Sequence, residues 1–417
     1  MMRPRLALAA AALLLSASFD AAAQSAAPAP TAPPGLDLYQ QALQSIAEGR
    51  NTDASVALSR AIEREPLHAG AWLELALLQC ALGRGNEAEQ LFKAIEQRFD
   101  PGPGILELIA KARAQGCAPW EPHTQATVVF GRGIDQNVNQ GASNPSYTVV
   151  NEGKPAELLL TDEFLPKHDG YNVLAAEYRR DLTQNGTVGF MQLQARRNDS
   201  LHRYDNSALT VGADSAWRFG RWTASAGVAA SAVRFDGALF QRQLQVQGRL
   251  STPLALPLKP QLNLSASLTR SRYPTLLNFD ATSAELRSQL GIRHGSATTS
   301  ASVALQSDQA SGQRPGGDRR GWLLALQSRM AIGGPLSGEL GASQQAWHGS
   351  TPYAPDFDLI NVVRRQRLRV LRAGVTYALD RNNSLVLEAR VIHNNENISI
   401  FQYNNRVLQL AWQWNGF

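Results

Sequence analysis

Residues 403–417, YNNRVLQLAWQWNGF, leave few folds open. Leu408, Leu410, Trp412 and Trp414 share one face of a period-2 segment, and Gln409, Ala411 and Gln413 share the other. Such alternation suits a strand with an apolar medium on one side and a polar one on the other. The edge strand of a soluble sandwich and the wall of a membrane barrel are both written this way. Two tryptophans near one end add an interfacial aromatic pair. Phe417 falls out of parity with Trp414, and a bulge at Gly416 is expected to restore it, because glycine tolerates the backbone angles a bulge needs.

The remaining chain separates the two readings. Leu262, Leu264, Ala266 and Leu268 alternate with Asn263, Ser265, Ser267 and Thr269; Leu286, Leu290 and Ile292 alternate with Glu285, Arg287, Gln289 and Arg293. Leu385, Leu387, Ala389 and Val391 repeat the pattern. A sandwich would bury one face in a single core and need no aromatic girdle. Past the N-terminus no apolar run of about 18 residues occurs, which excludes a helical membrane protein. A barrel passes that filter unseen, consistent with a mean hydropathy of −0.25. The net charge of +5 rests on arginine, with lysine only at 93, 111, 154, 167 and 259, and no basic block interleaved with aromatics points to nucleic acid.

Turn chemistry counts the strands. Short connections are expected at 183–186, 219–222, 253–260, 294–297, 332–337 and 380–383. Longer polar loops are expected near 137–170, 198–206, 234–241, 271–283, 307–320, 347–365 and 394–402. Six and seven make thirteen connections, hence fourteen strands over 119–417. An even number returns both ends to one side, expected to be periplasmic, with the long loops outside. The polar face then lines a lumen with Arg179, Arg249, Glu285, Arg287, Arg293, Arg329, Glu388 and Arg390, beside Glu177 and Glu339. Mixed signs fit either a wet channel or a lumen narrowed by ion-pair ladders.

The N-terminal part reads differently. Residues 1–23 carry Arg3 and Arg5, an apolar LALAAAALLL core and an Ala21-Ala22-Ala23 cleavage site, the pattern of a secretory signal peptide. With no cysteine after that site, no lipid anchor is expected, and residues 24–34 read as a Pro/Ala linker. Residues 35–118 repeat at an offset of about 34 residues. Leu38, Ala42, Gly49, Ala54, Leu58, Ala61 and Pro66 align with Trp72, Ala76, Gly83, Ala88, Phe92, Ile95 and the Asp100-Pro101 step. This is tetratricopeptide punctuation, with a third helix, 105–114, as a cap. The predicted fold is therefore α + β: a tetratricopeptide-like helical domain followed by a fourteen-stranded antiparallel transmembrane barrel. The helices would serve either as a spacer under the barrel or as a groove for an extended client, with Leu38, Trp72, Gln79 and Phe92 as its contacts. Cys80 and Cys117 can close the helical domain with a disulfide in an oxidising compartment.

The first strand ends Gly131-Arg132-Gly133-Ile134-Asp135-Gln136-Asn137-Val138-Asn139-Gln140-Gly141. A glycine-aspartate-asparagine-x-asparagine stretch, after tetratricopeptide helices and opening a fourteen-stranded barrel, resembles the surface lipoprotein assembly modulator family, a type of outer-membrane secretion translocon. Gly133, Asp135, Asn137 and Asn139 carry the motif, although Ile134 replaces the usual aromatic and the helical part is short. The resemblance implies export of surface lipoproteins or related secreted proteins as clients. A terminal Phe417 behind Trp412 and Trp414 resembles the signal by which outer-membrane barrels are assembled, implying the barrel assembly machinery and outer-membrane lipid as partners in a Gram-negative outer membrane. No cofactor is implied.

Two other readings attach to the same residues. Asp135, Asn137 and Asn139 alternate as in a calcium loop, but the glycine comes one place late at Gly141. Asn/Asp clusters also turn a strand at a rim unaided. The apolar Leu158-Leu159-Leu160 segment in the loop that follows is expected to seek shelter in the lumen as a plug. Export porins for polysaccharide also place tetratricopeptide helices before a barrel, and form the alternative function. No GxSxG or HExxH occurs, and His202 and His348 near Asp205 and Asp356 are the nearest approach to an enzymatic rim site.

Overall fold

The computed structural model describes residues 38–117, 121–151, 154–183, 186–219, 221–354 and 360–416. The signal-peptide and linker segments and Phe417 lie outside the described residues.

Five helices open the fold: α1 (Leu38–Ala47), α2 (Asn51–Arg64), α3 (Ala69–Ala81), α4 (Gly85–Arg98) and α5 (Pro103–Gln115). Among the described residues no helix is long and apolar enough to cross a membrane. The repeat is visible in the packing. Ala42, Ala54, Ala76 and Ala88 are each 0% exposed, because only a methyl fits where two helices of a pair cross. The turn glycines Gly49 and Gly83 both adopt φ +74°, a left-handed angle that ends one helix and starts the next. Leu58 with Leu75 centres the first core cluster, and Phe92, Ile95 and Ile109 centre the second, where α5 caps the pair. Cys80 and Cys117 are disulfide-bonded, tying the end of α3 to the residue just past α5.

The strands are β1 (Thr124–Asp135), β2 (Ser146–Asn151), β3 (Lys154–Leu159), β4 (Asp169–Asp181) and β5 (Thr187–Asn198). Then follow β6 (Asn206–Phe219), β7 (Trp222–Phe235), β8 (Ala238–Pro253), β9 (Gln261–Arg272) and β10 (Ala281–His294). The last are β11 (Ala297–Ala310), β12 (Arg319–Gly333), β13 (Leu336–Ala354), β14 (Ile360–Ala378), β15 (Asn383–Glu396) and β16 (Tyr403–Gly416). All but β2 and β3 form one closed antiparallel barrel of fourteen strands in sequence order, with β16 paired to β1. Both barrel ends lie at one rim, here the helix-side rim; the opposite one is the far rim.

Side chains opposite one another across an antiparallel ladder share a face. One face carries exposed apolar side chains all round, such as Phe130 opposite Leu174 and Leu286 opposite Leu305, the last two 62% and 63% exposed. A contiguous apolar surface closed on itself has no protein to cover it, so lipid must. That face is the outside of the barrel.

Three expectations change. The β1–β16 register is unbroken from Asp135–Val407 to Ala126–Gly416, so no bulge occurs at Gly416. The glycine is needed instead because the Trp414 indole lies across it, and a Cβ there would stand 2.2 Å from Cη2 of Trp414. The loop expected at 234–241 is a two-residue turn, Asp236-Gly237, with φ of +50° and +71°, the left-handed pair that a tight hairpin requires. Most of the loop expected at 347–365 is strand, since β13 and β14 continue to Ala354 and from Ile360. Above the lipid a strand has no apolar face to write, and its polar sequence reads as loop.

Candidate functional site

The lumen is the first candidate. By register, Arg179, Arg249, Glu285, Arg287, Arg293, Arg329, Glu388 and Arg390 all fall on the inward face. A ladder crosses four strands. Arg329 of β12 donates to Glu339 of β13 at 2.8 Å; Arg372 of β14 reaches Glu339 at 3.6 Å and Glu388 of β15 at 2.5 Å; Arg390 adds a second cation to Glu388 at 2.8 Å. Gly374 stands opposite both Glu339 and Glu388. Arg372, the centre of this ladder, was not singled out from sequence. Its signal was parity alone, since Arg372 lies in phase with the polar face of β14. Glu285 holds Arg287 at 2.9 Å and accepts from Gln306 at 2.7 Å on the next strand.

The second candidate is the motif at the seam where β1 meets β16. Gly133 faces inward, and the ring of Tyr171 lies over it, its hydroxyl donating to Gln409 of β16 at 3.0 Å. Arg196 stacks 3.8 Å above that ring and donates to Asp135 at 2.8 Å. The other carboxylate oxygen of Asp135 accepts from the backbone N–H of Asn137 at 2.9 Å. Asn137 is 1% exposed; its amide donates to the carbonyls of Gly141 and Asn404, each at 2.9 Å, and its oxygen accepts from the N–H of Gly141 at 2.7 Å. Asn139 donates to the carbonyl of Leu165 at 2.7 Å and accepts from the N–H of Lys167 at 2.9 Å. Every motif oxygen that a cation would need is therefore turned to a protein donor. Gly141 belongs to the same clasp, as a Cβ on it would meet the Leu165 backbone at 2.3 Å. The motif fastens the first long loop to β16 across the seam.

Other candidates settle elsewhere. Phe92 is 2% exposed and Gln79 8%, with Gln79 donating to Ser55 at 3.4 Å, so neither can line a client groove. The repeat's consensus positions are the ones that pack helix on helix. Leu38 packs against the first core cluster, and Trp72 donates to the Pro66 carbonyl at 3.0 Å beneath Arg98. Leu158 and Leu159 sit on the β2–β3 hairpin beside the 399–401 turn, with Leu159 80% exposed, so that residue has not found the shelter a plug would give it. Trp412 and Trp414 face outward beside Leu385 and Asn383. His202 stands 3.4 Å from Asp205, and His348 is turned to the Gly349 carbonyl at 2.6 Å.

The fold and this lumen define a transmembrane β-barrel of the outer-membrane, channel-like type, carrying a tetratricopeptide domain and consistent with transport. The tetratricopeptide repeat family matches residues 45–112. Among curated proteins, no sequence matches the chain. Of solved structures, the anion-selective porin from Comamonas acidovorans is similar at 10% identity and a TM-score of 0.38, over 71% of this chain and 99% of that one. The outer membrane channel DcaP of Acinetobacter baumannii is similar at 9% identity and 0.40, over 71% and 97%. A bacterial polysaccharide outer membrane secretin is similar at 8% and 0.34, over 70% and 98%.

Proposed function

We propose that the protein is an outer-membrane translocon that delivers surface lipoproteins or related secreted proteins to the cell surface, with the helical domain in the periplasm as the point of client capture. The observation that carries this reading is the junction. Cys117, just beyond the end of α5, is followed within a few residues by β1, which starts at the helix-side rim, and Arg50 of the α1–α2 turn lies 5.7 Å over the ring of Phe219 at that same rim. Phe219 lies on the outward face of β6, so the helices stand beside the helix-side rim, and in this reading a chain they hold is passed from there to the lumen. The lumen supports passage of an extended chain, because its paired charges offer exchangeable polar contacts and little apolar surface to stick to. In a compartment without ATP, binding on one side and folding on the other supply the direction. Insertion by the barrel assembly machinery belongs to the same reading, as does a resemblance to the surface lipoprotein assembly modulator family.

The test compares the full chain with the signal peptide joined to residues 119–417, reading surface display of the protein encoded beside it. Loss of display with a heat-modifiable, inserted barrel supports client capture by the helices. Display at the full-chain level overturns it.

A further inference from the structure

The charges of the barrel strands are sorted by sign. Every acidic residue of these strands faces the lumen, including Glu177, Asp214, Glu285, Asp308, Glu339 and Glu388. The charged residues that face outward are arginines, and near the far rim they concentrate. On β8 and β9, Arg242 and Arg272 stand directly opposite one another, and Arg270 lies one outward position below, opposite Leu244. All three are exposed. Like charges directly opposite cost stability in a sheet, so the arrangement asks for an anion from outside the chain. Among the described residues none of the three makes an ion pair; Arg270 donates to Thr282 at 3.0 Å, which leaves its charge uncompensated. Immediately below, toward mid-barrel, the same face presents Leu244, Val246 and Leu268, each 54–56% exposed. A second arginine row, Arg365, Arg367 and Arg369, runs down the outward face of β14.

We propose that Arg242, Arg270 and Arg272 form a binding site on the lipid-facing wall for a phosphorylated glycolipid of the outer leaflet. Its phosphates lie across the arginine fork while its acyl chains cover Leu244, Val246 and Leu268. Guanidinium forks match phosphate bidentately and are weakly hydrated, which suits a site at the edge of lipid. A free anion would have no use for the apolar strip beneath, so the surface commits to a lipid. The assignment rests on the outer-membrane orientation proposed above, in which the far rim faces outward.

The experiment uses the full chain, purified in detergent and shown to be folded by heat-modifiability, titrated with deep-rough lipopolysaccharide and with the same glycolipid stripped of its phosphates. Binding of the first and about a hundredfold weaker binding by the R242Q/R270Q/R272Q variant is expected, the loss appropriate to three interfacial arginines. Restoration by the corresponding lysine variant is expected to be partial, since lysine keeps the charge and loses the fork. Equal affinity of the wild-type chain for the two glycolipids overturns the proposal without any variant, and so does an unchanged affinity in the triple glutamine variant. Full competition by inorganic phosphate at millimolar concentration would make it a free-anion site and overturn the lipid assignment. None of these readouts depends on how the protein sits in a cell, so a failure here is distinct from a failure of the orientation or of client capture.

Discussion

The phenol of Tyr171 lies flat across Gly133 of the neighbouring strand, so close that a Cβ on that glycine would stand 2.4 Å from Cζ of the ring. Gly133→Val must push the ring off β1 and break its bond to Gln409. The expected cost is about 1–3 kcal/mol, the range for overpacking a closed contact. It is read as a lower temperature for loss of the compact form on heat-modifiability gels. Tyr171→Ala in the same background should recover most of it, and no recovery would place the damage elsewhere.

The lumen ladder predicts selectivity. Arg372 is the cation between Glu339 and Glu388, and Arg372→Ala leaves those carboxylates facing one another across Gly374. The reversal potential in a salt gradient across a planar bilayer should shift toward cation preference. An unchanged potential would mean that ions pass on another side of the lumen.

Beside the apolar contact of Ile109 with Phe92 and Ile95, one arginine ties helix α5 to α4. Arg113 donates to Glu89 at 2.9 Å and to Glu96 at 2.7 Å. The hydrogen bond from Arg113, and then its charge, hold the Glu96 carboxyl below the usual range. A depressed folded-state value means that this contribution is present above the ordinary carboxylate range and fades as pH falls through the lower folded value. At this exposure each pair is worth no more than about 1 kcal/mol. Arg113→Gln should lower the helical melting temperature measured by far-ultraviolet dichroism at pH 7, and the gap between variant and wild type should narrow on acidification. A gap independent of pH would make the role of Arg113 one of packing over Phe92.

Orientation is testable one residue at a time. Thr275 lies between β9 and β10 at the far rim, and Asn382 between β14 and β15 at the helix-side rim. A cysteine at 275 should react with an impermeant maleimide on intact cells, and one at 382 only after permeabilisation. The reverse pattern would turn the barrel over and remove the periplasmic placement of the helices.

What was legible in the sequence follows from how far each signal reaches. Strand number and lumen parity were legible because period-2 alternation is local and lipid enforces it. Ala42, Ala54, Ala76 and Ala88 were legible because the repeat writes each crossing twice. Phe92 misled for the same reason, since a repeat's consensus records its own core, while Gln79 is buried by its bond to Ser55, 24 residues away. At 234–241 the surrounding polar residues read as a loop, although the Asp236-Gly237 dipeptide is itself a hairpin signal. The clasp around Asp135 and Asn137 could be flagged but not read, because Arg196 and Asn404 are 61 and 267 residues away along the chain.

The Cys80–Cys117 bond has a mechanical consequence. If a client moving through the lumen tugs on the barrel, the load enters the helical domain at Cys117, the last described residue before the connection to β1. It passes through sulfur directly to the end of α3, bypassing α4 and α5. Those two helices lie within the covalent loop and carry no tension, so the pair can flex around a passenger while the anchor that tethers them stays taut.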